Sequence, residues 1–345
     1  MVAREVALVD AAKPKSSGAV ESPAVRIRMF DADRTDRALE LEAAMTTQPS
    51  DRQLLWIDVA GELEPETARA LMERFDFDRG TERALARERR GPAVELHGEH
   101  FHVRVAAEPD PQRPEDAAWL DIAAGRNVVV TRHSKPVALL DAVNDWIAAD
   151  ATIGELDAPE FVASLLGAIV TSHLVAVDRL EDELDDIDAG ALVHSRPQRL
   201  FGRLVEIRRR VGRLRRLLAT HREVYSRIGS REFARGISTD DKDVFVSVAG
   251  RFEGLLASVE SIREVILGSF DILMTRTAQR TNDVMRTLTV VTVMAVPATV
   301  TAGFLGMNVV VPVPNDDPSS FWLIAGVVLV FELAVIAIAR WRGWI

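Results

Sequence analysis

Two long segments near the C-terminus carry almost no charge, and they limit what this chain can fold into more than any other feature. Residues 287–307 contain no charged side chain, and residues 321–339 contain one, Glu332. A helix of 21 residues spans about 30 Å, the thickness of the hydrocarbon core of a bilayer. Helices in globular cores seldom run this far without a polar stripe. The sequence therefore predicts two transmembrane helices, at about 287–307 and 321–339.

The charges that flank these segments predict their orientation. Arginines lie before the first segment and after the second, at Arg276, Arg280, Arg286, Arg340 and Arg342. The connecting residues 308–320 hold Asp316 and Asp317 and no basic residue. Because basic residues stay on the cytoplasmic side, we expect both termini in the cytoplasm and the short loop outside. The chain is thus predicted to be a multi-pass protein of the inner (plasma) membrane, in contact with membrane lipid.

Charge and cysteine content exclude several function classes. With 42 basic and 52 acidic residues the net charge is −10, which argues against a nucleic-acid partner, since phosphates require a basic face. The chain has no cysteine, so disulfides, thiolate nucleophiles and cysteine-based metal centres are excluded. No Gly-rich phosphate loop, nucleophile–base pair or string of metal ligands is found. We therefore predict that the protein is not an enzyme and holds no cofactor.

The first segment carries a row of small and polar residues at alternating spacings of three and four. This row, called the seam below, consists of Asn282, Met285, Thr289, Thr292, Val296, Thr299, Gly303 and Gly306. Such spacing places the residues along one side of a helix. Inside a membrane, a row of this kind faces either another helix or water. The spacing alone leaves both interpretations open, and two helices cannot enclose an aqueous path without further subunits.

Residues 282–308 read NDVMRTLTVVTVMAVPATVTAGFLGMN, and they resemble the first transmembrane helix of the CorA family of divalent-cation channels. The matching positions are Asn282, Met285, Leu288, Thr289, Pro297, Gly303 and the triplet Gly306-Met307-Asn308. The closing RWRGWI is similar to the basic, tryptophan-containing tail of that family. Weaker similarity extends upstream through LLWIDVAG, residues 74–105 and WLDIAAGRNVVVTRH.

The resemblance implies an α/β N-terminal cytoplasmic domain, a long α-helical stalk and two transmembrane helices in a funnel-shaped homopentamer. On this basis the chain divides into a disordered tail (1–22), an α/β domain (23–150), a helical stalk domain (151–286) and a transmembrane region (287–345). Spacing of apolar residues predicts an antiparallel helix pair at about 159–190 and 196–227. It also predicts one helix from about 239 to 307, on the order of 100 Å long.

The resemblance further implies a channel for Mg²⁺ influx, with Co²⁺ or Ni²⁺ as further candidates. Gly306, Met307 and Asn308 would form the selectivity filter, because a ring of neutral amide oxygens binds the hydration shell of Mg²⁺ without stripping it. The expected pore-lining residues are Asn282, Met285, Leu288, Thr292, Val296, Thr299 and Gly303. Met285 and Leu288 are the apolar constriction candidates. From their charge, Asp316 and Asp317 either attract cations to the outer mouth or simply belong to a solvated loop.

Two departures from the family pattern keep an alternative open. Ser247 stands where magnesium-gated members carry a regulatory aspartate, and Asp243, one turn earlier, is the substitute that we expect to bind a regulatory metal ion. Glu332 lies inside the second segment, where an ionisable group suggests a function. Both features favour a zinc transporter of the same superfamily, with proton coupling, whereas the intact Gly-Met-Asn triplet favours magnesium. A membrane scaffold that does not conduct is a third hypothesis.

Two further clusters permit more than one interpretation. His97, His100 and His102 lie in a predicted strand, where a zinc site is conceivable, but with no carboxylate in register we interpret them as ordinary strand histidines. Residues 178–188 form a dense acidic run, which is either a solvated helix face or a surface that collects divalent cations. The arginines expected to pair with this run are Arg208, Arg209, Arg210, Arg213, Arg215 and Arg216.

Overall fold

The computed structural model describes residues 24–32, 36–62, 64–86, 91–108, 117–147, 157–193, 197–237, 243–307 and 318–342. The tail predicted at 1–22 lies outside these ranges. The strands are β1 Ala24–Asp31, β2 Arg37–Ala38, β3 Gln53–Ala60, β4 Ala93–His97, β5 His100–Glu108, β6 Ala118–Gly125 and β7 Val128–His133. The shorter helices among them are α1 Leu41–Thr46, α2 Pro65–Arg74, α3 Arg79–Ala86 and α4 Ala138–Ile147.

The seven strands form one mixed sheet in the order β2-β1-β3-β7-β6-β5-β4. Only the central pair β3–β7 is parallel, with Asp58 opposite Thr131, and the remaining pairs are antiparallel. Residues 93–108 and 118–133 each form a hairpin. A left-handed backbone at Gly98 and Arg126 turns the chain between β4 and β5 and between β6 and β7.

Both faces of the sheet are covered, which explains why β3 is buried along nearly its whole length. Leu55, Ile57 and Val59 belong to a core cluster with the residues of α1 and α2. Trp56 points to the other face, where its ring lies 5.7 Å from that of Phe161. Successive side chains of a strand alternate between faces, so the sheet is the middle layer of an α/β domain.

Five helices complete the described chain: α5 Ala158–Val193, α6 Pro197–Ile228, α7 Arg231–Gly236, α8 Asp243–Leu305 and α9 Pro318–Trp341. The predicted helix pair is confirmed in α5 and α6. The predicted long helix is confirmed in α8, which runs for 63 residues with Pro297 inside it. Proline removes one backbone hydrogen bond, which a long helix with many remaining bonds tolerates.

Three helices, α5, α8 and α9, are long and apolar enough to cross a membrane. The most apolar window of α5 is 72% buried inside the protein, whereas those of α8 and α9 are each 6% buried. A helix whose apolar side chains are already covered needs no lipid, so α5 is a core helix. The apolar surfaces of α8 and α9 are uncovered within this chain and correspond to the segments at 287–307 and 321–339.

The chain separates into two compact units. One contains the residues up to Ile187 together with Gly202–Leu267, and it includes the sheet. The other contains Asp188–Phe201 together with Gly268–Ile345, and it includes α9 and the C-terminal part of α8.

Candidate functional site

The C-terminal part of α8 carries the seam on an exposed side. Every seam residue, together with Leu288 and Met307, is exposed in the single chain. Met285, Leu288 and Val296 are large apolar side chains, and each of them is at least half exposed. Apolar side chains that stay exposed in one chain indicate a partner surface or a lipid environment. The seam is therefore available for contact with other copies or with an aqueous path.

From Thr292 to Gly306 the seam lies on the side of α8 away from α9, whereas Thr289 borders the side that α9 covers. Val290 on α8 and Ala339 on α9 are both buried and line the same cavity, which fixes the side of α8 that α9 covers. Half-buried residues on that side are Met294, Pro297, Ala298 and Thr301. At about 100° per residue, this row is rotated by roughly 180° from Thr292, Val296 and Thr299. One helix thus presents a polar side and a covered side, and α9 does not block the polar one.

Threonine hydroxyls of the seam are held by the backbone of α8 itself. Thr289, Thr292 and Thr299 each donate through Oγ1 to the carbonyl oxygen four residues earlier, at 2.8 Å in all three cases. A hydroxyl has one hydrogen and two lone pairs. Because the hydrogen is committed to the backbone, the oxygen presents only acceptor capacity to the seam side. Such oxygens accept hydrogen bonds from the water shell of a cation.

The Gly306-Met307-Asn308 triplet directly follows the C-terminal end of α8 at Leu305. The Gly306 amide donates to the Ala302 carbonyl at 3.0 Å, and the Met307 amide donates to Phe304 at 3.3 Å. A Cβ added at Gly306 would lie 3.2 Å from the Ala302 oxygen, so glycine fits this last turn with least strain. Asn308 lies outside the described residues, as do Asp316 and Asp317, and their proposed roles stay predictions.

A carboxylate that the sequence analysis did not single out lies on the seam side. Counting back from Asn282 with the same alternating spacing gives Ala278, Thr275 and Asp271, and all three are exposed. Extending the three-and-four spacing beyond the uncharged segment would have found Asp271. An acidic side chain in line with the seam adds negative charge along the same side of α8.

The residues behind the zinc and gating hypotheses lie in different parts of the fold. Asp243 is the first residue of α8, and Ser247 follows one turn later on the same helix. Glu332 is half-buried in α9. Among the described residues no group of three or more His, Asp or Glu side chains converges as a metal site. Asp243 as a regulatory metal ligand therefore stays a prediction.

The histidine cluster differs from the expectation in one respect, because carboxylates do lie beside it. His102 Nε2 is 3.1 Å from Asp121 Oδ1 across the β5–β6 pair, and Arg104 forms an ion pair with the same Asp121. His97 lies 3.5 Å from Glu95 and 3.6 Å from Asp78. Sequence alone did not place Asp121 next to His102, because this contact depends on strand register.

The acidic run and the basic helix α6 are paired in part. Arg210 donates to both oxygens of Glu183, at 2.7 and 2.9 Å. By contrast, Arg215 and Arg222 pair with Glu260 and Glu253 of α8. The arginines of α6 thus divide between the acidic run and α8, and only part of the run is neutralised by them.

Buried histidines away from the seam have shifted pKa values. Burial lowers the pKa of both His173 and His221 to about 4. The neutral form of His221 is fixed by its partners, because Nδ1 donates to Leu217 O and Nε2 accepts the Ala106 amide. Burial acts in the same direction on His133, but the nearby carboxylate of Asp58, at 3.4 Å, outweighs it and raises the pKa.

Comparison with known proteins gives a family match over most of the chain. The family model described as "CorA-like Mg2+ transporter protein" matches residues 51–340. The divalent cation transporter CmaX of Pseudomonas aeruginosa is 28% identical over 66% of this chain and 69% of its own length. The cobalt/magnesium transport protein CorA of Methanocaldococcus jannaschii is 23% identical over 86% of this chain and 92% of its own.

Two solved structures share the fold. The complete CorA magnesium transporter from Methanocaldococcus jannaschii aligns with a TM-score of 0.69 at 22% identity, covering 94% of this chain and 100% of that one. Full-length CmaX aligns with a TM-score of 0.67 at 23% identity, with the same coverage. The α/β domain and the long helices are therefore the fold of full-length proteins of this kind.

Proposed function

The chain belongs to the CorA-like Mg²⁺ transporter family and is thus a divalent-cation transporter, and we propose that it forms a homopentameric channel for Mg²⁺ influx. Co²⁺ and Ni²⁺ are proposed as further cargo, in keeping with the cobalt/magnesium transport named for its relatives. The number of subunits and the funnel shape are carried over from the resemblance to the family. Flow would follow the electrochemical gradient into the cytoplasm.

The observation that carries this proposal is the exposed seam, which from Thr292 to Gly306 lies on the side of α8 opposite α9. One copy cannot surround a path with two membrane helices. Several copies arranged with α8 inside and α9 outside would place their seams around a common axis. The seam would then supply small residues, hydroxyl oxygens and amides where water and ions pass, which is the environment that polar groups require at membrane depth.

Each level of the proposed ion path has a proposed role. Asn308 would form a ring of amide oxygens at the outer mouth, with Gly306 and Met307 beside it, and would hold the hydrated ion weakly enough for release. Thr292, Val296, Thr299 and Gly303 would line the path below. Met285 and Leu288, with Asn282 beneath them, would form the apolar constriction that closes by dewetting.

Acidic residues would raise the local concentration of cations at both ends. Asp316 and Asp317 are proposed to act at the outer mouth and Asp271 on the cytoplasmic side. Asp243 is proposed as a regulatory metal ligand in place of the aspartate that Ser247 replaces. These charges act over about 8 Å at physiological salt, so they concentrate ions near the path and do not select among divalent cations.

The arginines at the inner ends of the two apolar segments support the proposed topology. We place α8 and α9 across the inner membrane with both termini in the cytoplasm. The four proposed domains, 1–22, 23–150, 151–286 and 287–345, follow this topology, and lipid would cover the apolar sides of α9.

Ion-resolved flux into proteoliposomes tests the proposal. We expect Mg²⁺ uptake without a pH gradient, and Asn308→Ala to lower the preference for Mg²⁺ over Ca²⁺ or to abolish flux. Asn315→Ala, which changes the same residue type in the same loop, is the matched control. Unchanged flux and selectivity in Asn308→Ala would refute the filter. Zn²⁺ uptake that requires a pH gradient and is lost in Glu332→Gln would establish the zinc alternative instead.

A further inference from the structure

A cavity of about 180 Å³ lies between α8 and α9 at one end of the two apolar segments. Its walls are almost wholly apolar, and its two polar lining residues are Thr289 and Arg342. The apolar lining consists of Val290, Val293, Val335, Ile338 and Ala339. Thr289 directs its hydroxyl hydrogen to the Met285 carbonyl, so it leaves the cavity without a free donor from α8.

The cavity lies at the arginine-rich end of both helices. Residues 274–290 and 335–342 contain five arginines and one acidic residue, Asp283. Asp283 is 3.9 Å from Arg286. The guanidinium of Arg342 forms no ion pair or hydrogen bond with any residue in the described ranges. An apolar cavity with an unpaired cation at its mouth fits a ligand with an apolar chain and an anionic head.

Position along the helices identifies where such a ligand would come from. Thr289 is two residues into the predicted span of α8, and Arg342 follows the predicted span of α9 by three residues. The cavity is therefore level with the inner leaflet in the proposed topology, while the seam from Thr292 to Gly306 lies on the other side of α8. Anionic headgroups of that leaflet attract basic residues at the membrane surface.

We propose that this cavity binds an anionic phospholipid of the inner leaflet, with part of an acyl chain between α8 and α9 and the phosphate on Arg342. This inference rests on the proposed membrane topology but not on ion conduction. The chemistry recognised is a phosphate monoanion attached to an apolar chain, so a free phosphate would lack the part that fills the cavity.

Native mass spectrometry of the detergent-solubilised full chain tests the site by counting retained lipid. The probes are phosphatidylglycerol, zwitterionic phosphatidylcholine of the same acyl chains, and inorganic phosphate. Arg342→Gln is expected to lower phosphatidylglycerol retention roughly fivefold, because it removes the ion pair with the phosphate of the lipid in the cavity. Arg340→Gln, which removes the same charge from an exposed position outside the cavity, is expected to leave retention unchanged.

A second pair of variants tests the cavity itself. Ala339→Leu places a larger side chain in the cavity and should lower retention, whereas Ala337→Leu, on an exposed position outside it, should not. The proposal would be overturned if Arg342→Gln and Arg340→Gln lowered retention equally, or if phosphatidylcholine were retained as well as phosphatidylglycerol. It would also be overturned if inorganic phosphate alone saturated the site, or if a contact between subunits filled the cavity. Because retention is measured without flux, a chain that binds lipid but passes no Mg²⁺ would refute the channel and keep this site.

Discussion

The two halves of α8 carry apolar residues at the same spacing, but these residues are buried in one half and exposed in the other. In the N-terminal half, Val248, Phe252, Leu255 and Val259 recur every three or four residues and are fully buried. In the C-terminal half, apolar side chains at similar spacing, among them Leu288, Val291 and Phe304, are exposed. One helix therefore contains a half that is packed within the same chain and a half of which α9 covers only one side.

This difference shows that periodicity reports which side chains share a face and leaves open what covers that face. In the N-terminal half the cover is protein, and burying each large apolar side chain contributes about 1.5–3 kcal/mol to stability. In the C-terminal half the cover must come from lipid, from α9 or from other copies. A substitution should therefore affect folding in one half and assembly or conduction in the other.

The largest expected effect is on stability in the buried half. Phe252 stacks on Tyr225 with ring centroids 4.0 Å apart, and Phe252→Ala should lower the free energy of unfolding by about 3–5 kcal/mol. Phe304→Ala, at a position that is 67% exposed, should change it by less than about 0.5 kcal/mol. Denaturant titration of the solubilised protein measures both. If Phe304→Ala lowered the free energy of unfolding as much as Phe252→Ala, the two halves would not differ in the way described.

Acid should destabilise the unit that contains the sheet and spare the C-terminal half of α8, because all seven histidines precede α8. The pKa of His221 is about 4 in the folded protein and ordinary, about 6.5, in the unfolded chain. Protons thus bind preferentially to the unfolded chain, and the stability from neutral His221 is lost as the pH falls from 6.5 to 4.

The check is a comparison of wild type with His221→Gln. The difference in their unfolding free energies should shrink by roughly 3 kcal/mol between pH 7 and pH 4. Denaturant midpoints at several pH values in this window measure it. If the difference stayed constant with pH, protonation of His221 would have no effect on the free energy of unfolding.

The smallest expected effect separates two sides of the exposed half. Thr292 and Thr287 both donate to the carbonyl oxygen four residues earlier, at 2.8 and 2.9 Å, but only Thr292 belongs to the seam. Thr292→Val should lower Mg²⁺ flux about tenfold, since one hydrogen-bond acceptor is lost from every copy. Thr287→Val removes the same group from another side and should leave flux unchanged. Equal flux in both variants would argue that the seam packs helices.

Local patterns were enough to predict the long helices. The spacing of apolar residues predicted α8 and the helix pair α5 and α6, and the resemblance implied the α/β domain. Neither predicted that β3 pairs in parallel with β7, because that contact joins residues some 70 positions apart in the chain. The carboxylate of Asp121 beside His102 was missed for the same reason.

At the candidate site the sequence predicted which residues form the seam, but it did not predict which elements of the fold lie around them. Spacing placed Thr292 and Thr299 on one side of a helix, which the described part of α8 agrees with. It did not predict that α9 lies on the opposite side, since no pattern within one helix records its neighbour. Nor did it include Asp271, because the spacing was followed only within and just before the uncharged segment.

The threonines of the seam would favour cations over anions along the proposed path, although they carry no charge. Their hydroxyl hydrogens are committed to the helix backbone, so an anion passing there would find no donor, whereas a hydrated cation finds acceptors at successive turns. Neutral dipoles of this kind do not titrate and are not paired with counterions. Discrimination against anions should therefore persist across a wide range of pH and ionic strength, conditions under which a pathway lined by carboxylates would lose it.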